Sequence, residues 1–305
     1  MSVLRERYAR AVLVGTGQIG GSLLLALRRA GLVGDTLGLE VDPERARLAR
    51  ELGIVDETAV RPKGEALIAA AAGAQLVVLA TPVGAAAAVL AQLGPHLPAS
   101  CLIIDVGSTK KTLLKTVEKT LPVPGRFVGC HPIAGTERSG PSAATAELFR
   151  DRPVILTPIA GTLPEALQAA RALWLATGAQ LSMMTPEAHD AALAVTSHLP
   201  HAAAFALAAV VERVLARDEA LASNAAGLFG AGFLDTTRIA ASDPVMWRDI
   251  FLSNREAMTA LVEVLYDEIG YLKEALRRDD GSALLDLVMR ARRGRARVVG
   301  SPKPR

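Results

Sequence analysis

The residue best placed for proton chemistry is His131. It lies in Gly129-Cys130-His131-Pro132-Ile133-Ala134-Gly135-Thr136-Glu137, a loop rich in glycine and bounded by proline that follows an apolar run. A neutral imidazole accepts a proton readily, because its ordinary pKa is about 6.5. Removing two electrons from a carbinol carbon requires such an acceptor for the hydroxyl proton. Ser108, in Asp105-Val106-Gly107-Ser108-Thr109-Lys110, can hold the same hydroxyl or orient the imidazole. Arg238 precedes Ser242-Asp243-Pro244, a helix-start signal, and its planar fork suits a carboxylate. In Ser197-His198-Leu199-Pro200-His201, His201 reads as a polar contact to a bound molecule, and His198 as a core or cap residue. The two histidines are three apart with no third ligand at metal-site spacing, so no metal is expected.

A second group of residues suits a phosphate. Gly15-Thr16-Gly17-Gln18-Ile19-Gly20 matches G-x-G-x-x-G, and it closes an apolar run and opens a helical pattern. Gly15 permits the tight turn, Gly17 lets backbone approach a pyrophosphate, and Gly20 lets helix and strand pack closely. The helix start then offers free N–H groups and a positive dipole end. Glu40 stands about 20 residues further on, where a carboxylate accepts the adenosine ribose hydroxyls and repels a 2′-phosphate. NAD is the cofactor this implies. Thr81-Pro82, past the next apolar run, reads as a turn over the nicotinamide ribose or as an ordinary strand-to-helix turn.

These groups need a sheet whose strands end side by side. Ala11–Val14, Thr36–Glu40, Gln75–Ala80, Leu102–Val106, Arg126–Cys130 and Pro153–Leu156 read as strands, with Gln180–Met184 as an edge. Helical stretches such as Gln18–Ala30 and Pro43–Leu52 separate them, which implies a mostly parallel Rossmann-type α/β sheet with right-handed crossovers. After Thr185-Pro186 only helical patterns follow: Glu187–Arg217, Ala220–Phe229, Pro244–Tyr271 and Ser282–Arg293. The expected division is a dinucleotide-binding domain at 1–184 and an all-helical domain at 185–305. The apolar Phe205, Leu207, Val210, Val211 and Val214 exceed what one small helical domain buries, so a homodimer through these helices is expected.

Composition excludes several classes. Half of the 305 residues are hydrophobic but only 4% are aromatic, which favours helices and parallel strands over a β-sandwich. The net charge is +3, and much of the excess sits in Arg290, Arg292, Arg293, Arg295, Arg297, Lys303 and Arg305. That tail reads as a solvated terminus, and no nucleic-acid module appears elsewhere. Cys101 and Cys130 form no CxxC pair and fit a reducing compartment. With no signal peptide and no charge-free apolar run of about 20 residues, a cytoplasmic protein without a membrane partner is expected.

Taken in order, GTGQIGGS, DVGSTK, GCHPIAGTE, SHLPH and TRIAASDPVMWRDI resemble the prephenate dehydrogenase family, which includes arogenate and cyclohexadienyl dehydrogenases. The resemblance runs from about residue 10 to about residue 280. It implies a Rossmann-type domain, a helical dimerisation domain, and NAD-dependent oxidative decarboxylation of prephenate to 4-hydroxyphenylpyruvate in tyrosine biosynthesis. It implies that His131 is the catalytic histidine and that Ser108 assists it. Arg238 and His201 match substrate contacts, Glu137 matches an acid at the site rim with Thr136 beside it, and Trp247 is structural or lines the pocket. Without room for a fused mutase or a β-rich regulatory domain, the chain is expected to be monofunctional. Prephenate and arogenate are not separated by these residues. The rivals are a 3-hydroxyacid dehydrogenase, which would call for a helical-domain lysine where only Lys273 and Lys303 occur, and a non-catalytic NAD sensor.

Overall fold

The computed structural model describes residues 8–135 and 138–299. Residues up to Asn254 pack as one compact unit and those from Arg255 as another. Eight strands in the first unit form one sheet: β1 (Tyr8–Val14), β2 (Val33–Glu40), β3 (Glu57–Val60), β4 (Leu76–Leu79), β5 (Leu102–Asp105), β6 (Phe127–Pro132), β7 (Pro153–Thr157) and β8 (Gln180–Met183). Their spatial order is β3-β2-β1-β4-β5-β6-β7-β8. The first six are parallel to their neighbours, β6 and β7 pair antiparallel, and β7 and β8 are again parallel.

Alternation along the strands explains the layering. Ala11 and Leu13 of β1 join Leu76 and Val78 of β4 in one buried cluster, whereas Val12 and Val14 join Val77 and Leu79 in another. Successive side chains of a strand point to opposite faces, so continuous apolar runs require cover on both sides. One face is covered by α1 (Gln18–Arg29) and α6 (Pro164–Ala176), through Leu23, Leu24, Leu27, Leu173 and Trp174. The other is covered by α3 (Glu65–Ala71), α4 (Val83–Leu93) and α5 (Lys111–Thr120), through Ala70, Leu90, Leu93, Leu114 and Val117. Between β2 and β3, α2 (Pro43–Glu51) is started by Asp42, whose side chain accepts from Glu44 N and Arg45 N.

The strands expected from the sequence are all present. The sequence reading passed over β3 and α3, which are short and partly exposed. The mostly parallel sheet it expected is present, with one antiparallel pair, β6 with β7. Among its described residues, the link from β6 to β7 holds a short 3-10 turn at Pro141–Ala143 and no crossover helix, and the chain returns antiparallel.

The helical segment is more broken than its periodicity suggested. The expected run at Glu187–Arg217 is α7 (Pro186–Leu193), a π-helical turn (Ala194–His198) and α8 (Leu199–Leu215). Then come α9 (Glu219–Ala225), α10 (Ala231–Thr237) and α11 (Pro244–Ser253), and Asn254 separates α11 from the next helix. The second unit pairs α12 (Arg255–Arg277) with α13 (Gly281–Val299). Against the sequence expectation, Pro186–Leu215 is long and apolar enough, by length and composition, to cross a membrane. Thr196, Ser197, His198, Pro200 and His201 interrupt that run without charging it, which is why simple inspection passed it over.

The carboxyl ends of β5 and β6 part company. Their ladder stops at Ile103–Phe127 and Ile104–Val128. A buried polar clamp bridges the strands beyond that point. Asp105 Oδ1 accepts from Cys130 N at 3.0 Å, and Oδ2 accepts from Gly107 N at 2.9 Å and from the Lys110 ammonium. Lys110 Nζ also donates to Cys130 O at 2.7 Å. Both side chains are almost wholly buried, so neither charge has water as an alternative partner. Lys110→Met removes the ion-pair partner of buried Asp105, and should cost about 3–5 kcal/mol of stability in denaturant unfolding.

Candidate functional site

The glycine-rich turn is built as a cradle. Gly15 has φ +90°, and a Cβ there would stand 2.5 Å from Ala80 O. A Cβ on Gly20 would stand 2.7 Å from Leu13 Cδ1 and 2.8 Å from Gly15 O, so any larger residue would push α1 off β1. Gly17 faces open space, with nothing within 4 Å of a Cβ position. It is the N-cap of α1, where no side chain caps the free N–H groups and no acid sits in the first turn. Bare amides, a positive dipole end and an approachable backbone fit a pyrophosphate. The Thr81 hydroxyl is buried without a partner and lines a cleft with Asp105, Gly107 and Thr109 at the ends of β4 and β5. Pro82 begins the next element as the N-cap of α4. The residues present therefore fit a dinucleotide.

Glu40 holds that turn in place. Its Oε2 accepts from Thr16 N at 2.9 Å and from the Thr16 hydroxyl at 2.8 Å, while Oε1 accepts from Val41 N at 2.8 Å and Asp42 N at 3.3 Å. The sequence reading gave this carboxylate to ribose hydroxyls alone. Here it braces the loop, and its four acceptor sites are taken by the chain itself. The Gln18 amide donates to Ala143 O at 3.3 Å. A Cβ on Gly135, at φ +143°, would stand 3.7 Å from Gln18 Oε1 and 3.8 Å from Ile19 Cδ1. The loop that follows His131 thus lies against the start of α1.

His131 is the penultimate residue of β6 and is buried. Its Nδ1 lies 2.8 Å from His189 Nε2, and His189 Nδ1 lies 2.8 Å from Asp190 Oδ1. The sequence reading did not single out His189 or Asp190. The His-Asp pair at the start of a helical run was their one signal, and nothing local ties it to residue 131. Asp190 also accepts from Lys110 N at 2.9 Å and Lys111 N at 3.0 Å, which satisfies amides at the start of α5. Burial alone would raise its carboxyl pKa. Hydrogen bonds from His189, Lys111 and Lys110 outweigh burial and hold it below the ordinary range. Burial pushes His131 well below the usual imidazole value, and the Lys110 cation and the neighbouring His189 and His198 add to the effect. His131 is therefore neutral at working pH. Ser108 is half-buried in the loop after β5 and makes no side-chain hydrogen bond among the described residues. The contact that orients the imidazole comes from His189.

A polar chain continues into the helices. Asn254 Nδ2 donates to Asp190 O at 2.8 Å and lies 3.2 Å from His198 Nδ1. His198 packs edge-on against Trp247, and Trp247 stacks on His201 at 3.7 Å between centroids. His201 Nδ1 donates to Ser197 O at 2.9 Å, which leaves Nε2 as its acceptor. Burial lowers the His201 pKa, and the charge of Arg238 lowers it further, which places the guanidinium in electrical reach of the ring. Arg238 opens a short 3-10 turn before α11. The structure thus joins His131 to the neighbourhood of His201 through His189, Asp190 and Asn254, which the sequence reading did not single out, and through His198 and Trp247. Thr136 and Glu137 lie outside the described residues. Among the described residues no three His, Cys, Asp or Glu side chains gather as a metal site.

Comparisons with known proteins bear on the family and the fold. The family described as prephenate dehydrogenase, nucleotide-binding domain, matches residues 23–183, and its dimerization domain matches residues 185–290. A prephenate dehydrogenase of Bacillus subtilis is 34% identical over 274 residues, covering 90% of this chain and 71% of that protein. A cyclohexadienyl dehydrogenase of Zymomonas mobilis is 39% identical over 214 residues, covering 70% of this chain and 71% of that protein. A crystal structure of prephenate dehydrogenase from A. aeolicus with hydroxyphenyl propionate and NAD+ superposes with TM-score 0.81 at 34% identity, covering 95% of this chain and 98% of that one. Arogenate dehydrogenase of Synechocystis superposes with TM-score 0.75 at 28% identity, covering 95% of this chain and 100% of that one.

Sheet order, phosphate cradle and a strand-end imidazole define an NAD-dependent dehydrogenase with a Rossmann-type domain and a helical segment. The chain belongs to the prephenate dehydrogenase family.

The buried histidines set an acid limit on the fold. Burial lowers His198 from 6.5 to about 4, with His189 and His201 adding to the effect and Asp190 opposing it. The unfolded chain protonates this ring near pH 6.5, so between there and about pH 4 the unfolded state binds more protons. Stability should therefore be full above that window and fall as pH drops through it. Denaturant midpoints measured across the window check this, and His198→Asn should flatten the slope.

Proposed function

We propose that this chain catalyses NAD-dependent oxidative decarboxylation of prephenate to 4-hydroxyphenylpyruvate, in the route to tyrosine. The observation that carries the reading is His131, a neutral imidazole held by His189 at the end of β6, in a segment that lies against the dinucleotide turn. The bound nicotinamide ring supplies the hydride acceptor. His131 Nε2 takes the ring hydroxyl proton, and Ser108 holds that hydroxyl from the facing strand end. Arg238 pairs with a substrate carboxylate and His201 offers a further polar contact, and Thr136 and Glu137 remain candidates for substrate contact by resemblance alone. Trp247 fixes the His201 ring by stacking. Gly15, Thr16, Gly17, Gln18, Ile19 and Gly20 hold the pyrophosphate, Thr81 and Pro82 border the nicotinamide ribose, and the Glu40 charge disfavours a 2′-phosphate. As carbon dioxide leaves, the ring becomes aromatic, which drives the reaction without any further electron sink.

Arogenate is the second reading, because the similar structures include both a prephenate and an arogenate enzyme. The two substrates differ in a keto group against a protonated amine. A carboxylate facing that end selects arogenate, and Glu137 is the candidate for this role. Functional division at 1–184 and 185–305 follows the change from strands to helices. Exposed Leu207, Val210, Val214, Leu228 and Leu234 in the first unit, and Val264, Tyr266, Ile269, Leu276 and Leu285 in the second, support a homodimer through the helices. A cytoplasmic site of action accords with two free, buried thiols.

Two measurements test this. NADH formation with prephenate should exceed that with arogenate at equal concentrations, and the reverse order would transfer the activity to arogenate. His131→Asn should keep NAD affinity and lower turnover by about two to four orders of magnitude. Undiminished turnover would remove His131 from the reaction.

A further inference from the structure

The three side chains His131, His189 and Asp190 lie in line, two of them on α7 and one on β6. His189 is wholly buried, so it meets no substrate. The chemistry of the contacts orders their protons. An ionised carboxylate only accepts, so Asp190 Oδ1 takes a hydrogen from His189 Nδ1. With Nδ1–H committed to Asp190, Nε2 is the ring nitrogen left to accept from His131. The one hydrogen between the two rings therefore belongs to His131 Nδ1, and His131 keeps its lone pair at Nε2. That nitrogen has no hydrogen-bond partner among the described residues.

Asp190 is itself held on several sides. Its two oxygens are held by Lys110 N, Lys111 N and His189 Nδ1, and its backbone carbonyl is held by Asn254. The second member of the relay thus inherits its orientation from the start of α5. Lys110 and Asp105 face His131 from the β5–α5 side, His189 and Asp190 from α7, and His198 from the π-helical turn.

We propose that His189 and Asp190 are positioning residues that fix His131 in the tautomer with Nε2 as proton acceptor and share the proton it receives. The inference rests on the reading of His131 as the acceptor of the substrate hydroxyl proton. In the step, the substrate O–H bond breaks and a His131 Nε2–H bond forms, while the electron pair of the C–H bond leaves for the nicotinamide. The relay carries protons only. His131 becomes an imidazolium, its Nδ1–H donates to His189 Nε2, and that hydrogen can shift across the 2.8 Å contact while His189 Nδ1–H stays bound to Asp190. The arrangement offsets the burial and the Lys110 charge, both of which oppose a cation at His131.

The experiment has two arms. In the first, 15N spectra of histidine-labelled wild-type protein without substrate should show His131 with Nδ1 protonated and Nε2 bare. A protonated Nε2 overturns the relay. In the second, His189→Phe preserves packing without an acceptor, and His189→Gln places an amide oxygen near the Nε2 position. The Phe variant should lose about 100-fold or more in kcat, retain NAD affinity, and show the acid limb of its kcat/KM profile at lower pH. The Gln variant, which holds the tautomer without taking the proton, should recover about tenfold of that loss. A Phe variant with the wild-type pH profile, or a Gln variant no better than Phe, overturns the proposal. The spectral arm needs no substrate, so wild-type inactivity on prephenate and arogenate would count against the proposed reaction alone.

Discussion

The Asp190 carboxylate is the joint on which the rest depends. It lies on α7, yet it accepts the amides of Lys110 and Lys111 at the start of α5. One side chain therefore docks the first helix of the helical segment onto the sheet layer. The same carboxylate fixes His189, and through it His131. A charged acceptor in this position is worth more than its surface equivalent, because little water competes for its donors. Removing it would leave α5 uncapped, α7 undocked and the imidazole unaligned together.

The clamp of Asp105 and Lys110 complements this joint. Strands that separate at their carboxyl ends leave backbone groups without ladder partners, which burial makes costly. Asp105 and Lys110 supply those partners for Cys130 and Gly107. The price is a buried cation near His131, which lowers the affinity of that ring for protons. Under the proposed reaction that effect suits an acceptor that must begin neutral, and the hydrogen bond to His189 would compensate when the proton arrives. The structural and chemical roles of this strand end are thus not separable.

Much was legible because it is local. A continuous apolar strand announces cover on both faces, and G-x-G-x-x-G between such a strand and a helical pattern announces a phosphate cradle. The loop around His131 was legible for similar reasons, since glycine and proline mark it off from the strand that carries it. The short and partly exposed β3 and α3 were not legible, because they bury too little to leave a pattern. Nor was the break at Ala194–His198, where an alanine-rich period runs on while the backbone adopts a π turn.

The residue order by itself determined the sheet-and-helix alternation, the cradle, the position of Glu40 and the candidate imidazole, because each follows from side-chain type within a few residues. The tertiary structure decided which partner aligns that imidazole. His131 and His189 are 58 residues apart, and no periodicity or motif relates them. It also decided that Glu40 braces Thr16 and that β7 enters antiparallel, since both depend on where the chain returns after a loop. Short-range sterics can be read along a chain, whereas a hydrogen bond between distant residues exists only once packing has brought donor and acceptor together and removed the water.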